Sequence, residues 1–152
     1  MKPMDPVFRN YNMRQAASYA AVRPSYSTAL YKVILDYHNQ NGGQFGTVLD
    51  VGCGSGVAIC DLAQYFDHAT GADPGEAMIS QARKLGGLTA AGNAVQYECV
   101  SAETLSILKT VGPGSVDLLT AAMAVGLSTS FAHTIPKEQL VTCCIKSQTC
   151  TV

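Results

Sequence analysis

The sequence predicts an α/β fold, a parallel sheet with flanking helices. Three observations carry this. A short apolar run, Val48, Leu49 and Val51, leads into the glycine loop Gly52–Gly56 and then into a helical pattern over Val57–Phe66. A second short strand, Ala69–Asp73, ends in an acid 17 positions past Gly56. A third apolar run, Val116–Ala124 (VDLLTAAMA), reads as a strand buried in the middle of a sheet. Strand, glycine turn and helix in that order make a ligand cradle, because glycines let the main chain turn sharply and approach a ligand with no Cβ in the way.

Composition narrows the function classes. At 152 residues and 47% hydrophobic content the chain is sized for one globular domain. The net charge is −1 and no Lys/Arg block stands out, so neither nucleic acid nor a membrane surface is an expected partner. The apolar stretches are too short to span a bilayer, and MKPMDPVFRN lacks the apolar core of a signal peptide. Cys53, Cys60, Cys99, Cys143, Cys144 and Cys150 form no C-x-x-C pair and no zinc spacing with His38, His68 or His133. They are expected as free thiols in a reducing compartment, the cytoplasm by default, with no metal site.

In chain order, residues 1–24 are irregular, with a weak helical pattern over Arg9–Arg23. Ser27–Asn39 is expected as an amphipathic helix burying Leu30, Val33, Ile34 and Tyr37. The serines near Pro24 suit its start, and Gly42-Gly43 its exit. Next comes the strand holding Asp50, an acid that is costly inside an apolar run unless something polar meets it. Gly52, Gly54 and Gly56 follow, alternating with Cys53 and Ser55. The helix Val57–Phe66 turns Ile59, Leu62, Ala63 and Phe66 to the sheet and points its N-terminus at the loop.

Asp73 closes the second strand. Beside Pro74 it serves as a turn or helix cap, or as a ligand contact of the kind an acid makes at the end of strand two. Pro74–Leu85 is the next helix, with Met78, Ile79, Ala82 and Leu85 on its apolar face. GGLTAAGN (86–93) is a connector. Ala94–Val100 alternates, with Val95, Tyr97 and Cys99 on one side and Gln96 and Glu98 on the other, which suits a half-exposed outer strand. Glu103 reads as a solvated helix-start acid or a ligand contact. GPGS (112–115) turns into the last apolar run, whose Ala121, Ala122 and Met123 are candidate pocket lining. Beyond it Leu140–Ile145 offers one short strand.

The run Leu49–Gly56 (LDVGCGSG) resembles the first motif of class I S-adenosylmethionine (SAM) methyltransferases. YAAVRPSY (19–26) resembles the Y-A-x-x-R-P-x-Y segment of the fungal trans-aconitate methyltransferase-like group. ADPGEAMISQAR (72–83) resembles that group's D-x-S-x-x-M-[IL]-x-x-A pattern, with Gly75 where serine is common. The resemblance implies a Rossmann-like fold, SAM as cofactor and a small-molecule acceptor, a carboxylate or secondary metabolite. It implies that Asp50, Gly52, Cys53, Gly54 and Gly56 place the methionine part of SAM and that Asp73, with Pro74, holds the ribose. Met78 and Ala102 would lie by the adenine and Ala121 at the transfer end. Tyr19 and Arg23 would reach the methionine carboxylate or an acidic acceptor; read from the residues alone, Arg23 is solvated and Tyr19 packs on the core.

The resemblance covers about Tyr11–Ala124 and stops there, without the usual C-terminal strands. The expected organisation is therefore an N-terminal segment over the pocket (1–24), a SAM-binding domain (25–124) and an atypical tail (125–152). A catalytic base is not evident, and His38, His68 and His133 read as structural or solvated. The alternative is a truncated, inactive SAM-binding or partner-dependent module. Strand four as an open edge would then invite a second copy or another chain.

Overall fold

A computed structural model describes residues 10–121 of the protein. The expectations on Ala122, Met123, His133, Leu140–Ile145 and the tail 125–152 lie outside the described residues. Two helices come first, α1 (Met13–Val22) and α2 (Thr28–Gln40). Then β1 (Thr47–Val51), α3 (Val57–Ala63), β2 (His68–Asp73), α4 (Glu76–Leu85) and β3 (Gln96–Cys99) alternate. A 3-10 helix over Ala102–Ile107 precedes β4 (Leu118–Thr120). The strands lie parallel in the order β3-β2-β1-β4. This is the Rossmann-like arrangement expected from the sequence, with β3 outermost on one side.

Each element has a local cause. Asn12 and Gln15 cap α1 reciprocally, each side chain accepting from the other's main-chain N–H at 2.9 Å. Ser27 Oγ accepts from Leu30 N at the start of α2. The chain leaves α2 through Gly42 at φ +75°, and Gly43 N donates back to His38 O at 2.8 Å. Asp117 ties the entry of β4 to that of β1: its Oδ2 accepts from Thr47 N, and its own N–H donates to Thr47 O.

Alternation along the strands feeds two cores. On one face Val48 and Leu118 pack with Tyr31 and Ile34 of α2, Ile59 and Leu62 of α3, Ile79 of α4 and Phe66. On the other Leu49, Val51, Ala72 and Leu119 are covered by the 3-10 segment through Ala102, Leu105 and Leu108. A third cluster joins α1 to α4 through Ala16, Ala77 and Met78, with Tyr11 and Tyr19 against it.

Several expectations are corrected. The buried stripe of α2 is Tyr31, Ile34 and His38 with Leu35 beside it, one residue round from the expected face, and Val33 is 55% exposed. The aromatic group of His38, Phe45 and Phe66 sets that rotation. Of the two readings of His38, structural or solvated, burial favours the first: its Nε2 lies 2.6 Å from Gln44 O. Helix α4 starts at Glu76, because Pro74 and Gly75 form the turn that caps it, and Leu85 in its last position is 53% exposed. Cys99 is exposed rather than sharing the buried side of β3 with Tyr97, since the strand ends there and leaves the thiol reaching Pro74 O.

Candidate functional site

The carboxyl ends of β1, β2 and β4 meet at the glycine loop. Gly52, Gly54 and Gly56 all have positive φ (73°, 55° and 87°), a backbone shape that strains any residue with a Cβ. At Gly56 space disfavours a side chain as well. A Cβ on Gly56 would come within 3.0 Å of Ala82 Cβ and the Tyr97 ring, and one on Gly54 would touch Met78 at 3.4 Å. The loop is pinned from below by Ala72 O, which accepts from Gly52 N (2.7 Å) and Cys53 N (3.1 Å).

Asp73 grips the loop from the side. Its Oδ2 accepts from Gly54 N at 2.9 Å and its Oδ1 from Gly75 N at 2.8 Å. One carboxylate therefore ties the glycine loop to the N-terminal turn of α4. The bond to Gly75 N is the turn-cap role expected of Asp73.

Asp50 is 1% exposed and accepts from Thr120 Oγ1 at 2.7 Å. Burial pushes its carboxyl up, Thr120 opposes this, the Asp73 charge adds to it and Arg23 draws it down; the result is about 7. Thr120 is the polar partner that an acid in this strand requires. Sequence reasoning missed it. The available signal was a lone hydroxyl in the apolar run Val116–Ala124, directly opposite Asp50 in the β1–β4 register.

The other expected residues divide into two groups. Arg23 caps the end of α1, donates from Nη2 to Tyr26 Oη at 2.6 Å and stacks on the Tyr19 and Tyr26 rings at 5.3 and 5.6 Å. Its influence on Asp50 puts the segment after α1 near the end of β1. Ala121 follows β4 directly and is buried. Met78 is buried between α1 and the glycine loop, beside Tyr19, so its side chain serves packing. Cys53 turns its thiol into the core against Gly71, and burial there pushes it well above the ordinary thiol range, so it stays protonated. Ala102 opens the 3-10 helix and packs on the second core. Pro74 stands in the turn between Asp73 and α4.

A cationic, hydroxyl-bearing ligand fits this set. The loop's side chains, Cys53 and Ser55, are buried, one acid is buried at the strand end with Arg23 acting on it, and a second acid stands at the loop's rim. Among the described residues no group of His, Cys, Asp and Glu is placed to hold a metal ion, and no helix is long and apolar enough to cross a membrane.

A family model described as a methyltransferase domain matches residues 48–141. The yeast (Saccharomyces cerevisiae) protein CRG1, described as an S-adenosylmethionine-dependent methyltransferase, is 32% identical over 111 residues, covering 73% of this chain and 36% of its own length. The methyltransferase cfoB of Aspergillus candidus is 28% identical over 124 residues, 81% of this chain and 38% of its own. A solved structure from Anaeromyxobacter dehalogenans, assigned as a type II methyltransferase, superposes with a TM-score of 0.54 at 32% identity, covering 74% of this chain and 42% of that one. The chain thus spans little more than a third of the length of the curated relatives it matches.

Proposed function

The chain belongs to the class I SAM-dependent methyltransferase family, whose cofactor is SAM, and from that membership we propose that residues 10–121 form the cofactor half of an enzyme that methylates a small molecule. The observation that carries this reading is the Asp73 carboxylate, bonded at once to the glycine loop and to the start of α4. An acid held this way is oriented before a ligand arrives, and an acid at the end of strand two is where this kind of fold meets ribose hydroxyls.

The residues of the loop divide the work. Gly52, Gly54 and Gly56 let the main chain approach the methionine part of SAM; Cys53 contributes its backbone alone. Asp50 faces the cationic end of that part. Arg23, with Tyr19 beneath it, meets an acidic group, either the methionine carboxylate or the acceptor. Pro74 stands beside Asp73 on the ribose side, Ala102 borders the adenine side and Ala121 the transfer end, while Met78 supports the loop from behind. SAM, when bound, supplies a methyl already activated on a sulfonium. Transfer then depends mainly on alignment, and a carboxylate acceptor of the secondary-metabolite class needs no general base. A second chain adding to the outer side of β4 would extend the sheet, and sedimentation at several concentrations would detect it.

The test is the thermal midpoint of the purified chain with and without excess SAM, beside Asp73→Ala. A ligand at about 100 times its dissociation constant stabilises by about 2.7 kcal/mol. A clear upward shift that Asp73→Ala abolishes supports the reading. A folded chain that SAM does not shift overturns it.

A further inference from the structure

The buried acid in the sheet has its place set by the neighbouring strand. Asp50 in β1 stands opposite Thr120 in β4, and both side chains point to the face that carries Val48 and Leu118. Thr120 is 3% exposed, and its hydroxyl donates to Asp50 Oδ1 at 2.7 Å. No bulk water reaches the pair.

The charged and titratable groups around it are few. β2 brings Asp73, a second acid, and the glycine loop brings the Cys53 thiol. The segment after α1 brings Arg23, the cation that acts on Asp50. Tyr31 of α2 and Tyr97 of β3 are phenols raised by burial that also feel Asp50. Asp61 of α3 accepts from Tyr31 Oη at 2.8 Å, and Arg83 of α4 donates to Tyr97 O at 3.0 Å, so each of these has its own partner. A buried carboxylate with one hydroxyl donor and another acid close by favours its neutral form. An arriving cation reverses that balance.

We propose that Thr120 is a positioning residue that holds Asp50 as a proton-linked receiver for the cationic methionine end of SAM, so that binding releases a proton from Asp50 to solvent. The proposal rests on the SAM-binding reading above. Thr120 supplies what an aliphatic residue of the same shape would not: a donor that orients the carboxyl and favours the anion. The proton leaves the Asp50 carboxyl, and the resulting carboxylate pairs with the ligand's positive charge. Below neutrality, affinity then rises with pH until the free acid is already ionised.

Titration calorimetry of SAM into the chain, from about pH 5.5 to 7.5 and in two buffers of different ionisation enthalpy, tests this. The expected result is an affinity that rises by close to tenfold per pH unit below about pH 7 and then levels, with close to one proton released per SAM at the acid end. Thr120→Val should move the levelling point to higher pH and weaken binding several-fold at neutrality. Thr120→Ser should restore the wild-type profile, and Asp50→Asn should flatten it. SAM bound by the wild-type chain with the same affinity throughout, and no proton release, would overturn the proposal while leaving SAM binding intact. So would a Thr120→Val profile that overlays the wild type. A folded wild-type chain that binds no SAM at any pH would remove the underlying reading, and the proposal with it.

Discussion

The Gly54 main-chain N–H donates to Asp73 Oδ2 at 2.9 Å, which makes the acid at the end of β2 a structural part of the glycine loop. Its other oxygen accepts from Gly75 N. Substitution should therefore show in stability before any ligand is added. Hydrogen bonds to a charged group contribute about 1.5–3 kcal/mol each. Asp73→Ala loses both and should cost about 3 kcal/mol or more in urea denaturation. Asp73→Asn keeps one acceptor oxygen and should fall between wild type and alanine. Equal stability of all three would mean that the loop holds its shape without the acid.

Gly56 is required twice over, by its φ of 87° and by the 3.0 Å approach to Ala82 and Tyr97. Gly92 has a similar φ of 80° but nothing within 4 Å of a Cβ. Left-handed strain costs about 1–2 kcal/mol in either place, and overpacking adds about 1–3. Gly92→Ala should thus cost about 1–2 kcal/mol, and Gly56→Ala about 2–5 kcal/mol. The difference between their denaturation midpoints measures how tightly the loop sits on α4 and β3.

Glu98 clamps the chain after the 3-10 helix. Its carboxylate accepts from Lys109 N, from Thr110 N and from Thr110 Oγ1, and Thr110 in turn reaches Thr70 of β2. Burial alone would raise this acid, but the hydrogen bonds outweigh it and its pKa is lowered. The folded value lies below the unfolded one. The clamp therefore adds stability above the unfolded pKa and loses it as pH falls through the folded value. Wild type should lose stability relative to Glu98→Gln on acidification below about pH 4.5, in paired urea melts. A difference that does not change with pH would assign the clamp no ionic character.

Much of this architecture was legible in the sequence, and the misses share a cause. The glycine spacing, the acid after it and the half-exposed outer strand follow from local patterns. The face of α2 did not, because His38 reads as a polar residue until Gln44 O and the Phe45 and Phe66 rings surround it. Leu85 counts as apolar in a helical repeat, yet it occupies the last turn, where the helix has run past its partners. Thr120 needed the β1–β4 register, a contact between residues 70 positions apart that no local window contains. The cradle's shape was thus readable from short-range chemistry, whereas the partner that sets the charge of its buried acid was not.

That charge carries a prediction for the ligand-free protein. Burial, opposed by Thr120, puts the folded-state pKa of Asp50 at about 7 against an ordinary value of 3.8. The folded value is raised, so folding takes up a proton between the two. The stability due to the neutral acid is complete below about pH 4 and is lost as pH rises toward 7, above which the loss is constant. Glu98 acts below that window and with the opposite sign, so the two effects separate. Asp50→Asn keeps an oxygen to accept from Thr120 and has nothing to ionise. Wild type minus Asp50→Asn, followed by urea denaturation across this range, should fall steadily to about pH 7 and then level. Asp50→Asn should be the more stable protein at pH 8. A flat difference would mean that Asp50 is ionised throughout and that the Thr120 hydroxyl with Arg23 outweighs the cost of its burial.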